Sequence, residues 1–157
     1  HQNNALNTAV FDHVNVTGLP PGTSSWSAFQ SLWFAAGEPN SAPEADANKD
    51  DLPNLLAYSA GLSPWIRATP DNGGSPFFGI RDGFLAMTYT RLRHRFDFDC
   101  VVEVSGDLVT WNSGPGFTVE SGIVPLDDIR EQVTVRDAMP AGGSTQRFIR
   151  LRGIYPR

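Results

Sequence analysis

Apolar residues recur at two different spacings along this chain, and the spacing changes near residue 65. Between residues 26 and 62 they lie three to four positions apart, as in Trp26, Phe29 and Trp33, which is typical of helices. After residue 83 apolar and polar residues alternate, which is typical of half-buried antiparallel strands. The pattern therefore predicts a small helical unit over residues 26–65 and a β-sandwich over residues 66–157.

The helical unit is predicted to contain two helices joined by a polar loop. Ser25 is the expected N-cap of the first helix, which should end near residues 37–40, where Gly and Pro occur. Pro53 is expected in the first turn of the second helix and Gly61 at its end. The aromatic residues of the first helix are interpreted as core anchors rather than sugar-stacking platforms. The expected facing residues are Trp26, Phe29, Trp33 and Phe34 on the first helix, and Leu55, Leu56 and Tyr58 on the second.

The strand pattern is clearest between residues 95 and 105, where one face is apolar and the other acidic. The apolar face comprises Phe96, Phe98, Cys100, Val102 and Val104, and the acidic face comprises Asp97, Asp99 and Glu103. The acidic face is expected to be solvated or to pair with arginines across strands, namely Arg147, Arg150 and Arg152. Short strands separated by Gly, Pro and Asp turns predict a mainly β fold with a small α unit. In this fold a helix–loop–helix precedes an immunoglobulin-like or fibronectin-like antiparallel β-sandwich.

The N-terminal residues also alternate, and residues 1–19 are predicted to carry a β-strand rather than the start of a domain. Within residues 9–17, Val14 and Val16 are expected to face a core. The strand is interpreted as the remnant of a preceding sandwich domain or as an exchanged strand. A lone strand edge must pair with the main body or with another copy of the chain. Residues 20–25 are predicted to be a linker, which continues the turn-forming composition that begins at Gly18.

Oxygen-bearing side chains alternate just ahead of the second helix, and oxygen ligands suit a hard cation such as Ca²⁺. Numbered as an EF-hand loop, the predicted calcium ligands are Asp46, Asn48, Asp50, Leu52 through its backbone carbonyl, and Asn54. The chain departs from that scheme at Asp51, where Gly is usual, and at Ala57, where a bidentate Glu is usual. The alternative is that Asp50 or Asp51 simply caps the second helix.

Charge and length restrict the function classes. The chain has 157 residues, a net charge of -5 and a pI near 5.0, which argues against binding nucleic acid or an anionic membrane surface. No apolar run is long enough to span a bilayer. The sequence begins at His1 without a signal peptide, so it is expected to be a mature or excised part of a longer protein.

The sequence contains no recognisable catalytic motif. The three histidines are not spaced as metal ligands, and no nucleophile elbow, phosphate-binding loop or zincin helix occurs. Cys100 falls on the apolar face of a predicted strand, where a buried inert thiol is expected. We therefore expect a protein without enzymatic activity.

Aromatic and cationic residues of the second half form a candidate sugar-binding surface, because aromatic rings stack on sugars and Arg binds hydroxyl or acidic groups. The predicted ligand-binding residues are Trp111, Tyr89, Arg91 and Arg93. The alternative is that Trp111 belongs to the core.

The order of these features resembles a known family. An aromatic helix precedes Asp-x-Asn-x-Asp-x-Leu-x-Asn-Leu-Leu-x-Tyr at residues 46–58 and a Gly-Leu-x-Pro exit. This order resembles a C-terminal accessory module of secreted multidomain proteins of Verrucomicrobia and related bacteria, and the loop is similar to dockerin and thrombospondin type 3 calcium repeats. The strand-like stretches at residues 102–111, 133–137 and 147–152 are similar to those of the same module.

The resemblance implies a non-catalytic accessory or structural module of an extracellular or cell-surface bacterial protein, beside neighbouring domains of a longer chain. Two alternatives remain open. One is a carbohydrate-binding module that takes a polysaccharide. The other is an assembly subunit in which the N-terminal strand of one copy joins the sheet of another.

Overall fold

The computed structural model describes residues 25–142 and 146–155, and this part of the chain is mainly antiparallel β with a small helical part. The helical elements are α1 (Trp26–Trp33), a single 3₁₀ turn (Pro39–Ser41) and α2 (Asn54–Ser59). The strands are β1 (Phe77–Arg81), β2 (Phe84–Leu92), β3 (Asp99–Ser105), β4 (Thr118–Pro125), β5 (Arg130–Pro140) and β6 (Phe148–Ile154).

The described strands form two sheets whose neighbours are all antiparallel. The larger sheet has the order β1-β2-β5-β4, and the smaller one pairs β3 with β6. β6 packs against β2, whereas β3 lies near β4, so the small sheet covers only part of the large one. The arrangement confirms the expected mainly β fold and is sandwich-like. The immunoglobulin or fibronectin identity stays a prediction.

Both helices lie where the apolar spacing places them, but α1 is shorter than expected. The Ser25 hydroxyl accepts a hydrogen bond from the Ala28 amide, as an N-cap does. The helix ends at Trp33 rather than near residues 37–40, because Phe34 adopts extended dihedral angles and turns its side chain into the core. At the end of α2 the predicted Gly61 has a φ of 74° and closes a Schellman motif.

The core is continuous from the helical unit to the sheets. Trp26, Phe29, Leu55 and Tyr58 form one buried cluster as expected, and Leu92 and Phe98 from the strand region complete it. A second cluster lies between the sheets around Val102 and Val133, and a third surrounds Leu52 and Leu56. Cys100 packs against all three clusters. The predicted boundary near residue 65 therefore separates helices from strands in sequence but not in the core.

Two details of the predicted strand at residues 95–105 were wrong. Phe96 is 73% exposed, because β3 begins only at Asp99 and Phe96 lies in the turn before it. Asp97 is not on a solvated strand face, since it accepts hydrogen bonds from the Trp26 amide at 2.6 Å and the Tyr58 hydroxyl at 3.1 Å. Asp97 instead connects the helical unit to the strand region.

The cross-strand arginine pairs form only in part. Glu103 is buried and pairs with Arg150 at 2.7 Å and Arg152 at 3.5 Å on β6. Arg147 pairs with Asp137 at the end of β5 instead.

Two other expectations concern the N-terminal segment and membrane-spanning helices. The predicted strand of residues 1–19 and residues 20–24 of the predicted linker lie outside the described residues. None of the helices in the described ranges has the length and hydropathy that crossing a bilayer requires.

Candidate functional site

The segment from Asp46 to Asn54, here called the acidic loop, folds into a tight series of turns. Lys49 and Asp51 have positive φ angles of 58° and 69°. Asp tolerates the left-handed region better than most residues, because its short side chain can hydrogen-bond locally. Asp51 therefore makes the sharp turn for which an EF-hand loop uses Gly.

The first carboxylate of the acidic loop is tied to the loop's own backbone. One oxygen of Asp46 accepts the Asp50 amide at 3.2 Å, and the other accepts the Asp51 amide at 2.8 Å. These bonds fold residues 50 and 51 back over Asp46. Each carboxylate oxygen accepts one of these bonds and has a second acceptor position.

The middle of the acidic loop is joined to the segment that leaves the helical unit. Asp50 accepts the Leu52 amide at 3.0 Å and the Ala68 amide at 2.6 Å. The Asn48 side-chain amide donates to Asp50 at 3.1 Å and to the Ile66 carbonyl at 3.0 Å. The contacts with residues 66–68 could not be read from the sequence, because they join positions 18 residues apart.

Asn54 opens α2 and is 1% exposed. Its side-chain amide donates to the carbonyls of Asn40 at 2.7 Å and Ala42 at 3.0 Å, and its oxygen accepts the Ala47 amide at 3.3 Å. Asn54 thus connects the segment before the acidic loop to the loop itself. The N-cap of α2 is Pro53 and no side chain caps the helix, so the alternative that Asp50 or Asp51 is the cap was wrong.

The donor set of the acidic loop consists of oxygens, which fits a hard cation. Asp46 and Asp50 supply two carboxylates, and the Leu52 carbonyl and the Asn48 and Asn54 side chains are the remaining candidate donors. Within the described ranges no cluster of three or more His, Cys, Asp or Glu side chains is placed to hold a metal. Two carboxylates would therefore need amide, carbonyl or water oxygens to complete the shell, which predicts modest affinity.

The predicted sugar-binding residues do not form one surface. Tyr89 is 4% exposed and packs in the cluster between the sheets, where burial raises the pKa of its hydroxyl to about 12. A buried ring cannot stack on a sugar, so Tyr89 is not a binding platform. Trp111 is half-buried beneath the Arg150 guanidinium, which lies 4.0 Å from its ring centre. Its indole N–H donates to the Leu108 carbonyl at 3.2 Å.

Arg91 and Arg93 do lie together, on either side of Glu131. The Arg91 Nε atom is 2.8 Å from one Glu131 oxygen, and the Arg93 Nε atom is 3.7 Å from the other. Both arginines line a cavity of about 310 Å³, here called the basic pocket. Its polar and aromatic lining includes Arg91, Arg93, His94, Arg95, Phe96 and Glu131. In the sequence, the run Arg91-Leu-Arg-His-Arg95 indicated the cationic part of this pocket. The contribution of Phe96 could not be predicted, because it depends on the path of the chain before β3.

The one cysteine of the chain is partly buried: Cys100 packs against the core clusters and also contributes to the lining of the basic pocket. Burial raises the pKa of the Cys100 thiol to about 11, so it is protonated at neutral pH. This agrees with the inert thiol expected from its strand position.

No family model, curated protein or solved structure matched this chain in the comparisons. The acidic loop and the basic pocket are therefore the two candidate functional sites.

Proposed function

We propose that the chain is a non-catalytic accessory module of an extracellular or cell-surface bacterial protein, stabilised by Ca²⁺ at the acidic loop. The observation that carries the proposal is the loop itself. It carries two carboxylates and two carboxamides within nine residues, and its hydrogen bonds join it to Asn54 at the start of α2 and to residues 66–68. A cation at this point would stabilise the attachment of the helical unit, which is a structural rather than a catalytic role.

The charge of the loop supports the same proposal. Neither Asp46 nor Asp50 forms an ion pair with any Lys or Arg that the structure describes. Their negative charges are balanced only by backbone and side-chain N–H groups. A bound Ca²⁺ would neutralise both carboxylates. Asp46 and Asp50 would hold the ion, and Leu52, Asn48 and Asn54 would complete its shell.

The test is thermal unfolding of the chain in millimolar Ca²⁺ and in excess chelator. Binding to the folded state alone adds about 2.7 kcal/mol when free Ca²⁺ is 100 times the dissociation constant. We expect a clear rise in melting temperature for the natural chain. The rise should be lost when Asp46→Asn is combined with Asp50→Asn, because the amides keep acceptor oxygens but lose the charge.

The matched control is Asp128→Asn, which removes an exposed acid outside the loop. Its response to Ca²⁺ should equal that of the natural chain. An unchanged melting temperature of the natural chain in Ca²⁺ and chelator would refute a calcium site, and the loop would then be a hydrogen-bonded turn only.

A second candidate function is binding of an acidic polysaccharide at the basic pocket. Phe96 is 73% exposed at the rim and offers a stacking face, while Arg93 is held loosely at 3.7 Å from Glu131. An exposed ring beside arginines is the combination that recognises a sugar bearing a carboxylate.

Calorimetric titration with an oligogalacturonate and with a neutral glucan of equal length tests this candidate. Binding of the acidic oligomer alone, weakened at least tenfold by Arg93→Ala or Phe96→Ala, would support it. Arg67→Ala, at an exposed site outside the pocket, is the control and should leave binding unchanged. Equal binding of both sugars would refute recognition of an acidic polysaccharide, and binding of neither would leave the accessory role without a sugar ligand.

A further inference from the structure

The large sheet ends at β1, and this strand is paired on one side only. β1 pairs with β2 in unbroken register, from Phe77 opposite Thr88 to Arg81 opposite Phe84. Its other side makes no backbone hydrogen bond to any residue in the described ranges. We call this side the outer edge of β1. The open N–H and C=O groups of such an edge are a template for another strand, so proteins usually protect them.

The two terminal strands of the large sheet differ in this protection. β4 has an irregular register between Glu120 and Gly122 and ends in Pro125, and Glu120 adds a charge 4.0 Å from Arg91. A bulge, a proline and a charge are features that keep an edge strand from pairing. β1 has no proline and no register shift with β2, and its one charged residue is Arg81 at its end. Of the two edges of the large sheet, that of β1 is therefore the one open to pairing.

The outer edge of β1 also carries exposed apolar side chains. Phe78 and Ile80 lie opposite Met87 and Leu85 on β2, so they share the face on which Met87 is buried between the sheets. They are nevertheless 72% and 61% exposed. The small sheet packs against β2 but leaves these two side chains open to solvent. Adjacent exposed apolar side chains beside an open edge are a feature of interaction surfaces.

The turn between β1 and β2 fixes which backbone groups point outward. Its two residues have positive φ angles of 50° and 81°, as in the two-residue hairpin turn that follows the twist of its strands. Such a turn closes on a hydrogen-bonded pair, here Arg81 and Phe84, and the two kinds of pair alternate from there. Every second residue of β1, counted from Arg81, therefore bonds to β2. The N–H and C=O groups of the residues between them, Phe78 and Ile80, point to the outer edge.

Two copies of β1 are complementary when they run antiparallel about a two-fold axis at Gly79. Phe78 of each copy then lies opposite Ile80 of the other, and each such pair exchanges both of its outward hydrogen bonds. On the opposite face, Arg81 of each copy meets Phe77 of the other. Within one chain the Arg81 guanidinium already lies 5.3 Å from the centre of the Phe77 ring, so the pairing offers the same cation–π contact. No like charges on β1 lie opposite each other in this register.

We propose that the chain forms a symmetric dimer in which a second copy pairs with the outer edge of β1. The two large sheets become one continuous sheet, and Phe78 and Ile80 of both copies form an apolar strip across the axis. Because the same edge meets itself, the interface closes at two copies. A contact of five residues on each side buries less than the roughly 1,200 Å² of a standard interface. The dimer should therefore be weak, with a dissociation constant on the order of 100 µM. It requires neither calcium nor the basic pocket.

The first test is sedimentation velocity of the full chain from about 5 to about 500 µM, which brackets that dissociation constant. The natural chain should change from monomer to mostly dimer. Ile80→Lys should stay monomeric, because it places charges in the apolar strip on both sides of the axis. Val124→Lys, at an exposed position of β4, is the matched control and should dimerise as the natural chain does. Both variants replace exposed side chains, so their melting temperatures should stay within about 3 °C of the natural value.

Two outcomes of this test would overturn the proposal. One is a natural chain that stays monomeric throughout, which would assign the edge to another part of the chain or to a different partner. The other is a dimer that persists in the Ile80 variant and is lost in the Val124 variant, which would place the interface at β4.

A proline distinguishes strand pairing from hydrophobic adhesion. Ile80→Pro keeps an apolar side chain but removes an N–H that points to the outer edge and is not used by β2. It should weaken dimer formation at least tenfold. Unchanged affinity would show that the copies do not pair strand to strand and would overturn the proposal.

A cysteine at the axis tests the register. Residues opposite each other in a non-hydrogen-bonded pair have Cα atoms about 4.5 Å apart, which a disulfide can join. A Cβ atom added to Gly79 meets no other atom, so Gly79→Cys should fit the strand and cross-link two copies in a mild redox buffer. Arg81→Cys, on the same face, is the control, since in this register its two copies lie more than about 13 Å apart. Equal cross-linking of the two variants would overturn the proposal.

Discussion

At the scale of single residues, the least exposed ion pair joins Asp137 to Arg147. Asp137 is fully buried, and its two oxygens lie 2.7 Å and 2.9 Å from two nitrogens of the Arg147 guanidinium. The Met139 amide donates to the same carboxylate at 2.8 Å. This bidentate geometry connects the end of β5 to the start of β6. The buried carboxylate is tolerated there because the guanidinium neutralises its charge and both of its oxygens accept hydrogen bonds.

Asp137→Asn should therefore be strongly destabilising, by about 3 kcal/mol, because it leaves Arg147 without its counter-charge. Urea unfolding measures the loss. The control is Asp127→Asn, which removes an exposed pair with Arg130 and should cost no more than about 1 kcal/mol. Similar losses for the two variants would contradict a special role for the buried pair.

Two buried acids should make the fold sensitive to alkaline pH. Burial raises the pKa of Cys100 from 9.0 to about 11 and that of Tyr89 from 10.0 to about 12. The folded state then holds these protons to higher pH than the unfolded state does. The stabilisation is complete below pH 9 and is lost as pH rises through the folded pKa values, by on the order of 2 kcal/mol for each group.

The measurement is the free energy of unfolding in urea at several pH values from 8 to 11. It should fall over this range, and Tyr89→Phe should make the fall shallower because Phe cannot ionise. A free energy that is constant from pH 8 to 11 would contradict the assignment of buried, protonated groups.

At the scale of elements, α2 packs against β6 at a glycine. A Cβ atom added to Gly153 would lie 2.9 Å from the Leu55 side chain and 3.3 Å from that of Leu56. The first distance is shorter than ordinary carbon contacts allow, so a side chain at residue 153 would force the buried Leu55 side chain to move.

Gly153→Ala should cost about 1–3 kcal/mol of stability, because the added methyl group must displace the buried Leu55 side chain from its packing against β6. Gly79→Ala is a matched control in β1, where an added Cβ atom meets no other atom. It should be neutral or slightly stabilising in chemical denaturation. A neutral Gly153→Ala variant would show that α2 is not held closely against the strand.

At the scale of the whole molecule, the helical unit and the sheets form one continuous core. Phe98 lies 5.2 Å from Tyr58 between ring centres, and Asp97 accepts hydrogen bonds from both helices. Neither part buries its apolar surface alone. The helical unit depends on this packing in particular, because α2 has only six residues and a helix of that length is not stable alone.

We therefore expect one cooperative unfolding transition, with equal calorimetric and van't Hoff enthalpies. Asp97→Ala should lower the temperature of that single transition without splitting it. Two separate transitions, or loss of helical circular dichroism before strand signals, would show that the helical unit unfolds independently.

Local spacing was enough to predict the elements that depend on local interactions. The cap at Ser25, the stop at Gly61 and the alternating core positions Val102 and Val104 follow from chain periodicity and backbone preference, which are properties of neighbouring residues. The end of α1 was misjudged, because Phe34 leaves the helix to bury its ring, and a tertiary contact overrides local preference there.

The sequence by itself determined the class of fold, the position of both helices and the acidic loop with its oxygen donors. Only the tertiary structure decided which residues meet. It buried Tyr89, exposed Phe96, joined Arg147 to Asp137 and tied Asp50 to the Ala68 amide. The physical reason is that side-chain chemistry and the spacing of apolar residues are properties of neighbouring positions in the chain. Burial and pairing depend on residues brought together by the packing of distant segments.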